Sequence, residues 1–398
     1  MLSGSEDRRT TIGSPGEVLA LISAGAATTR ADLARETGLA RSTVSHRVDA
    51  LMARGLIREV EDGESTGGRP PRQLRLRTED NVVVGVDLGA THCRMAIMHI
   101  GGELLAVRED PLDIAIGPEE TLTHVDRRMH EMLGETDIPV RAVRAIGMGV
   151  PGPVEFASGR PVSPPIMPGW NEYPIPEFFT ASYDVDVLVD NDVNVMALGE
   201  HRNCFPNARY LLYVKIGTGI GCGIIADRQL HRGAQGCAGD IGHIRVSGHD
   251  EAGCRCGNSA CLEAVAGGAA LARRLSQLGL DAGSGREVVE LVHAGDPQAL
   301  RLVREAGRLV GEVLAGLVNF FNPEVIVVGG VLATVHEHVL AGIREAIYRR
   351  SAPLATHGLE ILPSRTGRDA AVLGAGILAI EHFLAPAHVD RVLAATGT

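Results

Sequence analysis

Residues Ala238 to Glu263 read AGDIGHIRVSGHDEAGCRCGNSACLE, with one imidazole, His243, upstream of three thiols, Cys254, Cys256 and Cys261. Borderline-soft Zn²⁺ prefers thiolate and imidazole, and four such donors make a closed tetrahedral site. The C-x-C-G-x3-C spacing, with Gly257 inside the turn, points to metal ligation rather than to unrelated buried thiols. A closed site does not catalyse; it fixes a loop. Here the loop carries Asp240, His243 and Glu263, polar groups suited to hydrogen-bond a hydroxylated ligand.

Composition bounds what surrounds this stretch. The chain has 398 residues, 45% of them hydrophobic, enough for two or three domains at roughly 150 residues each. No run of eighteen apolar residues occurs, and the opening MLSGSEDRRT has no apolar core. Neither a membrane span nor a signal peptide is expected, which places the chain in the cytoplasm. Seven cysteines, three of them grouped with His243, suit a reducing compartment and metal rather than disulfides. The net charge of −11 is uneven. Residues 1–80 hold 12 Arg and 12 acids, whereas the remaining 318 hold 26 cations and 37 acids. Eight Arg against five acids make 41–77 the one basic segment. Lys215 is the sole lysine.

The first eighty residues read as a DNA-binding module. Ser14-Pro15 is a helix cap with proline at the first helical position, and Val18, Leu19, Leu21 and Ile22 supply an apolar face. Thr29, with Asp32 three residues on, announces a second helix ending at Gly38. A third covers 40–55, with Val44, Val48, Leu51 and Met52 at helical spacing. This is the helix-turn-helix plan, in which the first turns of the third helix meet base edges in the major groove. The outward residues there are Arg41, Ser42, Thr43, Ser45, His46 and Arg47, donors and cations of the kind groove reading uses. LIREV and QLRLR then form short strands joined by EDGESTGGRPPR, a wing. Its Gly67-Gly68-Arg69-Pro70 has the form of an arginine hook for a narrow minor groove, with Arg72 beside it. The alternative is a helical interaction domain with a solvated arginine face; the wing and the Gly-Arg-Pro run favour DNA.

From Asn81 the pattern turns to strand. NVVVGVDLGATHCRMAIMHI is a buried strand, a tight turn and a second strand, and RYLLYVKIGTGIGCGIIADRQL repeats the plan. The repeat predicts two related α/β lobes facing each other across a cleft. Asp87, Gly89 and Thr91 in the first turn, and Thr218, Gly219 and Gly221 in the second, would expose N–H groups and hydroxyls. Such loops cradle phosphates, with Asp87 placed to hold Mg²⁺. Equally, two tight hairpins need glycine for their turns. A third apolar strand within 324–333 ends on Gly329 and Gly330 and could approach a nucleotide. DAAVLGAGILAIEHFL is a small-residue helix expected to pack back on a sheet.

Between the turns, IGMGV is a core strand, followed by a long Pro/Gly loop with Gly159, Arg160 and the one tryptophan, Trp170. Loops of that length in compact proteins are usually functional. DVLVDNDVNVMALGE then sets Asn191 and Asp192 where an apolar strand ends and a helix begins. Ligands of open α/β sheets bind at that end, and a carboxylate there can accept a proton from a sugar hydroxyl. The same spacing also makes an Asp/Asn helix cap.

Taken together, DLGAT, DNDVNVMALGE, KIGTGIGCGI, AGDIGHI, CRCGNSACLEA and VIVVGGV resemble, in order, the motifs of the ROK (repressor, open reading frame, kinase) family. The resemblance implies an actin-like, sugar-kinase (RNase H-like) α/β fold of two lobes, with a structural zinc in the second. It divides the chain into a winged helix-turn-helix domain over 1–80, a first lobe over 81–190, and a second over 191–368, with helix 369–385 packing back on the first. It also implies a sugar site of Gly159, Arg160, Asn191, Asp192, Asp240, His243 and Glu263. There Asp192 would be the general base of a kinase, and His243 would also ligate zinc. ATP, where retained, would meet Asp87, Gly89, Thr91, Thr218, Gly219, Gly221, Gly329 and Gly330.

Several positions depart from the family pattern. Asp240 replaces the usual Glu, changing its reach by about 1.5 Å, one C–C bond. Ile166 replaces an Asn, and Ala260 replaces a Gly, which is expected to matter little. Ala90-Thr91-His92 replaces a Gly-Thr-Lys phosphate loop, with Arg94 nearby as a substitute cation. Members with an added winged helix act as sugar-responsive transcription regulators. The expected protein is therefore a repressor of carbohydrate-metabolism genes, a homodimer or homotetramer that binds operator DNA and a sugar. The alternative is an ATP-dependent sugar kinase of the hexokinase type, or a regulator that keeps kinase activity.

Overall fold

The computed structural model describes residues 13–60, 72–180 and 182–395. Its N-terminal body is built from capped short helices. α1 (Pro15–Ser23) starts at Ser14, whose hydroxyl accepts the Glu17 N–H, with proline next in line. α2 (Arg30–Thr37) starts at Thr29, whose hydroxyl accepts the Asp32 N–H, and stops at Gly38 with φ 70°. α3 (Arg41–Ala53) buries Val44, Val48 and Leu51 and turns its polar residues outward. β1 (Ile57–Val60) and β2 (Gln73–Leu76) pair antiparallel as the stem of the wing. The wing tip, with Gly67, Gly68, Arg69 and Pro70, lies outside the described residues.

The two lobes repeat one topology. The first holds β3 (Val82–Leu88), β4 (His92–His99), β5 (Leu104–Pro111), α4 (Pro118–Glu135), β6 (Val143–Val150), a small hairpin of β7 (Val154–Glu155) and β8 (Arg160–Pro161), α5 (Ile175–Phe179) and β9 (Asp186–Asn191). Its sheet order is β5-β4-β3-β6-β9. The second follows α6 (Asp192–Cys204) with β10 (Tyr210–Ile216), β11 (Ile220–Ala226) and β12 (Gln229–Leu230). Four helices come next: α7 (Leu262–Ala266), α8 (Gly268–Gln277), α9 (Gly285–His293) and α10 (Pro297–Phe321). It closes with β13 (Val325–Gly329), α11 (His336–Arg350), α12 (Pro353–Thr356) and β14 (Glu360–Pro363), in the sheet order β12-β11-β10-β13-β14. Counted within each lobe, both sheets run 3-2-1-4-5, antiparallel through the hairpins and parallel on the far side. Parallel neighbours need crossover helices, which is why the helical segments fall where they do.

The lobes are joined by α6 and α13 (Ala370–Phe383). α13 lies on β3 and β6 of the first lobe and also against α6, which in turn covers β10 and β11 of the second. A Cβ on Gly199 would stand 2.2 Å from the Ala370 carbonyl oxygen, so the two helix backbones touch. The chain then bends through Leu384 and Ala385 into α14 (Pro386–Ala394), an element the sequence pattern did not announce. α14 returns to the N-terminal body. Val389 is buried in the same core as Val18, Leu33, Val48 and Leu51, and Asp390 Oδ1 accepts the Gly16 N–H at 2.8 Å. A Cβ on Gly16 would stand 2.3 Å from the Pro386 carbonyl oxygen, so α1 and α14 meet only because residue 16 is glycine. Among the described residues no single helix is long and apolar enough to cross a membrane.

Candidate functional site

His243, Cys254, Cys256 and Cys261 present donor atoms that all lie within 4.8 Å of one another. Cys254 Sγ is 3.7 Å from His243 Nδ1, and Cys256 Sγ is 3.7 Å from Cys261 Sγ. Local backbone bonds shape the loop: Cys254 N–H donates to Asn258 O at 2.8 Å, and Gly257 N–H to Cys254 O at 3.1 Å. The Asn258 backbone amide draws the Cys256 thiol down to about 7, while burial pushes Cys254 up to about 12 and raises Cys261 as well. Three thiols and an imidazole fit a metal ion by their chemistry. Ala260, treated above as a minor change, adopts φ 58°, where a Cβ costs roughly 1–2 kcal/mol. Ala260→Gly is therefore expected to stabilise the loop by about 1 kcal/mol. Calorimetric melting checks this, and an unchanged or lower midpoint would speak against strain there.

Of the polar groups predicted for a sugar, Asp240, His243 and Glu263 lie together on this loop. His243 turns Nδ1 to the thiols and Nε2 towards Asp240, whose Oδ1 is 3.9 Å away. Glu263 places Oε1 3.6 Å from Cys254 Sγ, while a Cβ on Gly219 would stand 2.5 Å from its Oε2. Asp192, buried at the start of α6, sets Oδ2 2.5 Å from Lys215 Nζ. Burial opposes the charge on Lys215, but the Asp192 and Asp87 carboxylates outweigh it and hold the amine above its usual value. Asn191 is the cap of α6: its side chain accepts the Val193 N–H at 3.0 Å and donates to Gly152 O at 3.0 Å. Arg160 donates to Glu172 O at 3.2 Å and Glu177 Oε1 at 2.9 Å, and Gly159 takes φ 67°. Both therefore shape the long loop, as does the buried Trp170, whose Nε1–H bonds Ile114 O at 3.2 Å.

The glycine turns are occupied from within. His92 Nε2 is 3.3 Å from Asp87 Oδ2, and its ring lies over Gly89, where a Cβ would stand 2.0 Å from Cε1. Thr91 between them is exposed. Arg94, expected to substitute for a phosphate-loop lysine, is instead engaged by Glu109 at 2.7 Å and by Asp369. The nearby cation is Lys215. In the second turn, Gly217 O and Thr218 O accept the Gly268 and Ala269 N–H groups at the start of α8, at 2.7 and 3.2 Å. A Cβ on Gly221 would stand 2.9 Å from Val193 Cγ2, one on Gly329 1.9 Å from the Tyr213 hydroxyl, and one on Gly330 2.6 Å from Ile216 O. These glycines allow close packing at the ends of β10, β11 and β13. With the His92 imidazole on Asp87 and its ring over Gly89, and the Lys215 ammonium taken by Asp192, the surroundings do not fit Mg²⁺ and a nucleotide in this arrangement.

Sequence reasoning missed the contacts across the cleft. Asp190 of the first lobe accepts Arg232 Nε from the second at 2.7 Å, and that guanidinium stacks 3.7 Å above the Phe156 ring. Glu200 on α6 accepts the Ser364 hydroxyl at 2.8 Å and the Arg365 N–H at 2.7 Å. A carboxylate just after the apolar run Val195 to Leu198 was the available signal for Glu200; a lone lysine before a glycine turn was the signal for Lys215.

On α3, Arg41, Ser42 and His46 are exposed, and Thr43, Ser45 and Arg47 are half-buried. Arg30 ties α2 to α3 through Ser45 O at 3.2 Å and Asp49 at 2.7 Å. Arg72 at the wing stem pairs with Glu59 at 3.1 Å.

Residues 16–58 match winged helix-turn-helix DNA-binding domains, and residues 83–382 match the ROK family over most of the chain. The chain belongs to the ROK family. This ROK protein is 30% identical to the xylose repressor of Bacillus spizizenii, with 89% of this chain and 91% of that one covered. It is 32% identical to a glucokinase of Halalkalibacterium halodurans, covering 75% of this chain and 95% of that one. A crystal structure of a ROK family transcriptional regulator, a homolog of the E. coli MLC protein, has a TM-score of 0.81 at 25% identity, covering 95% and 98% of the two chains. The domain order, a winged module ahead of the two lobes, is that of the family's transcription regulators.

Proposed function

We propose that this ROK protein is a repressor of carbohydrate-metabolism genes that binds operator DNA through α3 and the wing and senses a sugar between its lobes. The placement of α14 carries this reading. Sugar held from both sides of the cleft would shift α6 against α13; α13 leads into α14, and α14 closes the core of the DNA-binding module. Asn191, Asp192, Asp240, His243 and Glu263 supply the hydroxyl partners, with Gly159 and Arg160 shaping the loop above them. Zn²⁺ on His243, Cys254, Cys256 and Cys261 keeps Asp240 and Glu263 in position. Coupling requires a sugar affinity that differs between the DNA-bound and free states. A palindromic operator calls for two reading helices about 34 Å apart, hence a twofold dimer. The outward Phe320 and Leu354, 90% and 86% exposed, offer apolar surface for it.

Sugar phosphorylation is the second reading, favoured by Asp192 at the strand end beside the two glycine turns. The Lys215–Asp192 pair and the His92 ring over Gly89 weigh against it, because the carboxylate that would face the hydroxyl already holds an ammonium and the first turn is filled by a side chain. The test uses the full chain. Genomic fragments enriched by binding are titrated with and without xylose, glucose, N-acetylglucosamine, mannose and fructose. One sugar is expected to change operator affinity by about fivefold or more, with two chains bound per site and no sugar-dependent ADP release. Absence of fragment binding, or an affinity that no sugar alters, would remove the regulator. ADP release abolished by Asp192→Asn would establish the kinase, and one chain per site would remove the dimer.

A further inference from the structure

Three elements meet where the first lobe faces the DNA-binding module: the start of β9, the last turn of α13 and the first turn of α14. Each contributes one donor. Asp186 Oδ2 is 2.6 Å from His382 Nε2 and 3.4 Å from His388 Nδ1, and the three donor atoms all lie within 4.8 Å of one another. The rings stand 4.9 Å apart and tilted by 55°, so their nitrogens converge on the carboxylate instead of stacking. From this convergence we infer that Asp186, His382 and His388 form a second metal site, for a divalent first-row transition ion of the Zn²⁺ class, at the joint between the lobes and the winged module.

Zn²⁺ takes N and O ligands at about 2.0–2.2 Å, which sets tetrahedral neighbours roughly 3.3 Å apart. The two carboxylate–imidazole gaps of 2.6 and 3.4 Å bracket that spacing, so tetrahedral placement asks for changes of less than about 1 Å in either gap. Two imidazoles and one carboxylate suit Zn²⁺, Co²⁺ or Ni²⁺ rather than Ca²⁺ or Mg²⁺. Three protein ligands leave a position for water, and Asp186, 49% exposed, gives the ion a way in. The facing cation is Arg391, 3.1 Å from His388 Nδ1 and 3.8 Å from Asp186 Oδ2. Arg391 is 68% exposed and can swing into solvent as the ion takes its place. An ion held here would fix the bend through Leu384 and Ala385, and with it the seat of α14 on the winged core.

Ion binding at the joint is independent of what the chain regulates, and its test reads metal alone. Full-length chain, stripped with EDTA and reloaded with Zn²⁺, is expected to hold two equivalents by elemental analysis. His382→Ala/His388→Ala is expected to hold one, and Cys256→Ser to retain the joint ion. Each single imidazole loss should weaken the joint site at least about tenfold, since even outer-sphere partners of ligands are worth 10–100-fold. Co²⁺ separates the two sites: thiolate-to-metal charge transfer belongs to the cysteine cluster, and the second equivalent adds absorption without it. Asp186→Asn, which keeps the side chain's shape, must lose the second equivalent even where the histidine double variant fails to fold. A single equivalent in the wild type carrying thiolate absorption overturns the site. So does a second equivalent that survives all of these substitutions.

Discussion

Cys256→Ser is expected to release the ion from the cysteine loop and to weaken sugar binding at least tenfold. Structural zinc in small finger peptides binds with about 10–16 kcal/mol, and that binding energy is folding energy. Here the buried Cys261 and Leu262 keep part of the loop anchored without metal, so the whole chain stays folded and the loss is local. Its consequence is positional. Without the ion, His243 has no reason to hold Nδ1 towards the thiols and Nε2 towards Asp240, and Glu263 is left beside an unligated Cys254 3.6 Å away. Two of the proposed hydroxyl partners then wander, and orientation is what a small polar ligand depends on. Elemental analysis and calorimetric sugar titration on the same sample check the pair of effects. A metal-free variant that binds sugar as tightly as the wild type would separate the loop from the site.

Gly16→Val should cut the connection between sugar and DNA while leaving both bindings in place. With the added Cβ 2.3 Å from the Pro386 carbonyl oxygen, backbone faces side chain and neither can yield locally. Relief comes only when α14 leaves. That exposes Val389, worth about 1.5–3 kcal/mol as a buried valine, and removes the Asp390 bond to the Gly16 N–H, worth about 1 kcal/mol. By these terms the docking of α14 on the winged core amounts to about 2.5–4 kcal/mol, enough to carry a typical allosteric coupling energy of about 1–3 kcal/mol. The expected result is unchanged sugar affinity, operator binding that no sugar alters, and faster proteolytic release of the N-terminal body. If sugar still shifts operator affinity to the wild-type extent, the signal does not pass through α14.

Local patterns made much of this protein legible in advance. The caps Ser14 and Thr29 and the stop at Gly38 marked the first two helices, because a helix end must satisfy its free N–H and carbonyl groups nearby in sequence. The doubled strand-turn-strand plan foretold two lobes, which the structure resolves into two sheets of identical 3-2-1-4-5 order. The grouping of His243, Cys254, Cys256 and Cys261 was visible because their spacing within one loop is short, and the structure brings their donor atoms within 4.8 Å of one another. The alternating strands flanking the wing paired as drawn.

Where local patterns did not reach, the deciding groups were far apart in the chain. Arg94 looked available for a phosphate until Asp369 proved to engage it, 275 residues away. Lys215, which no local pattern ties to Asp192, pairs with it, and Asn191 and Arg160 have partners that hold the backbone. Ala260 read as a mild replacement because a backbone angle leaves no mark on composition. What the sequence determined by itself was whatever rests on spacing within one turn of helix, one hairpin or one loop. The tertiary structure alone decided the Asp190–Arg232 pin across the cleft, the Asp186–His382–His388 cluster and the contact of Gly16 with Pro386. Each joins segments that only the completed packing brings together, and the energy of such contacts appears only after distant chain has been closed up.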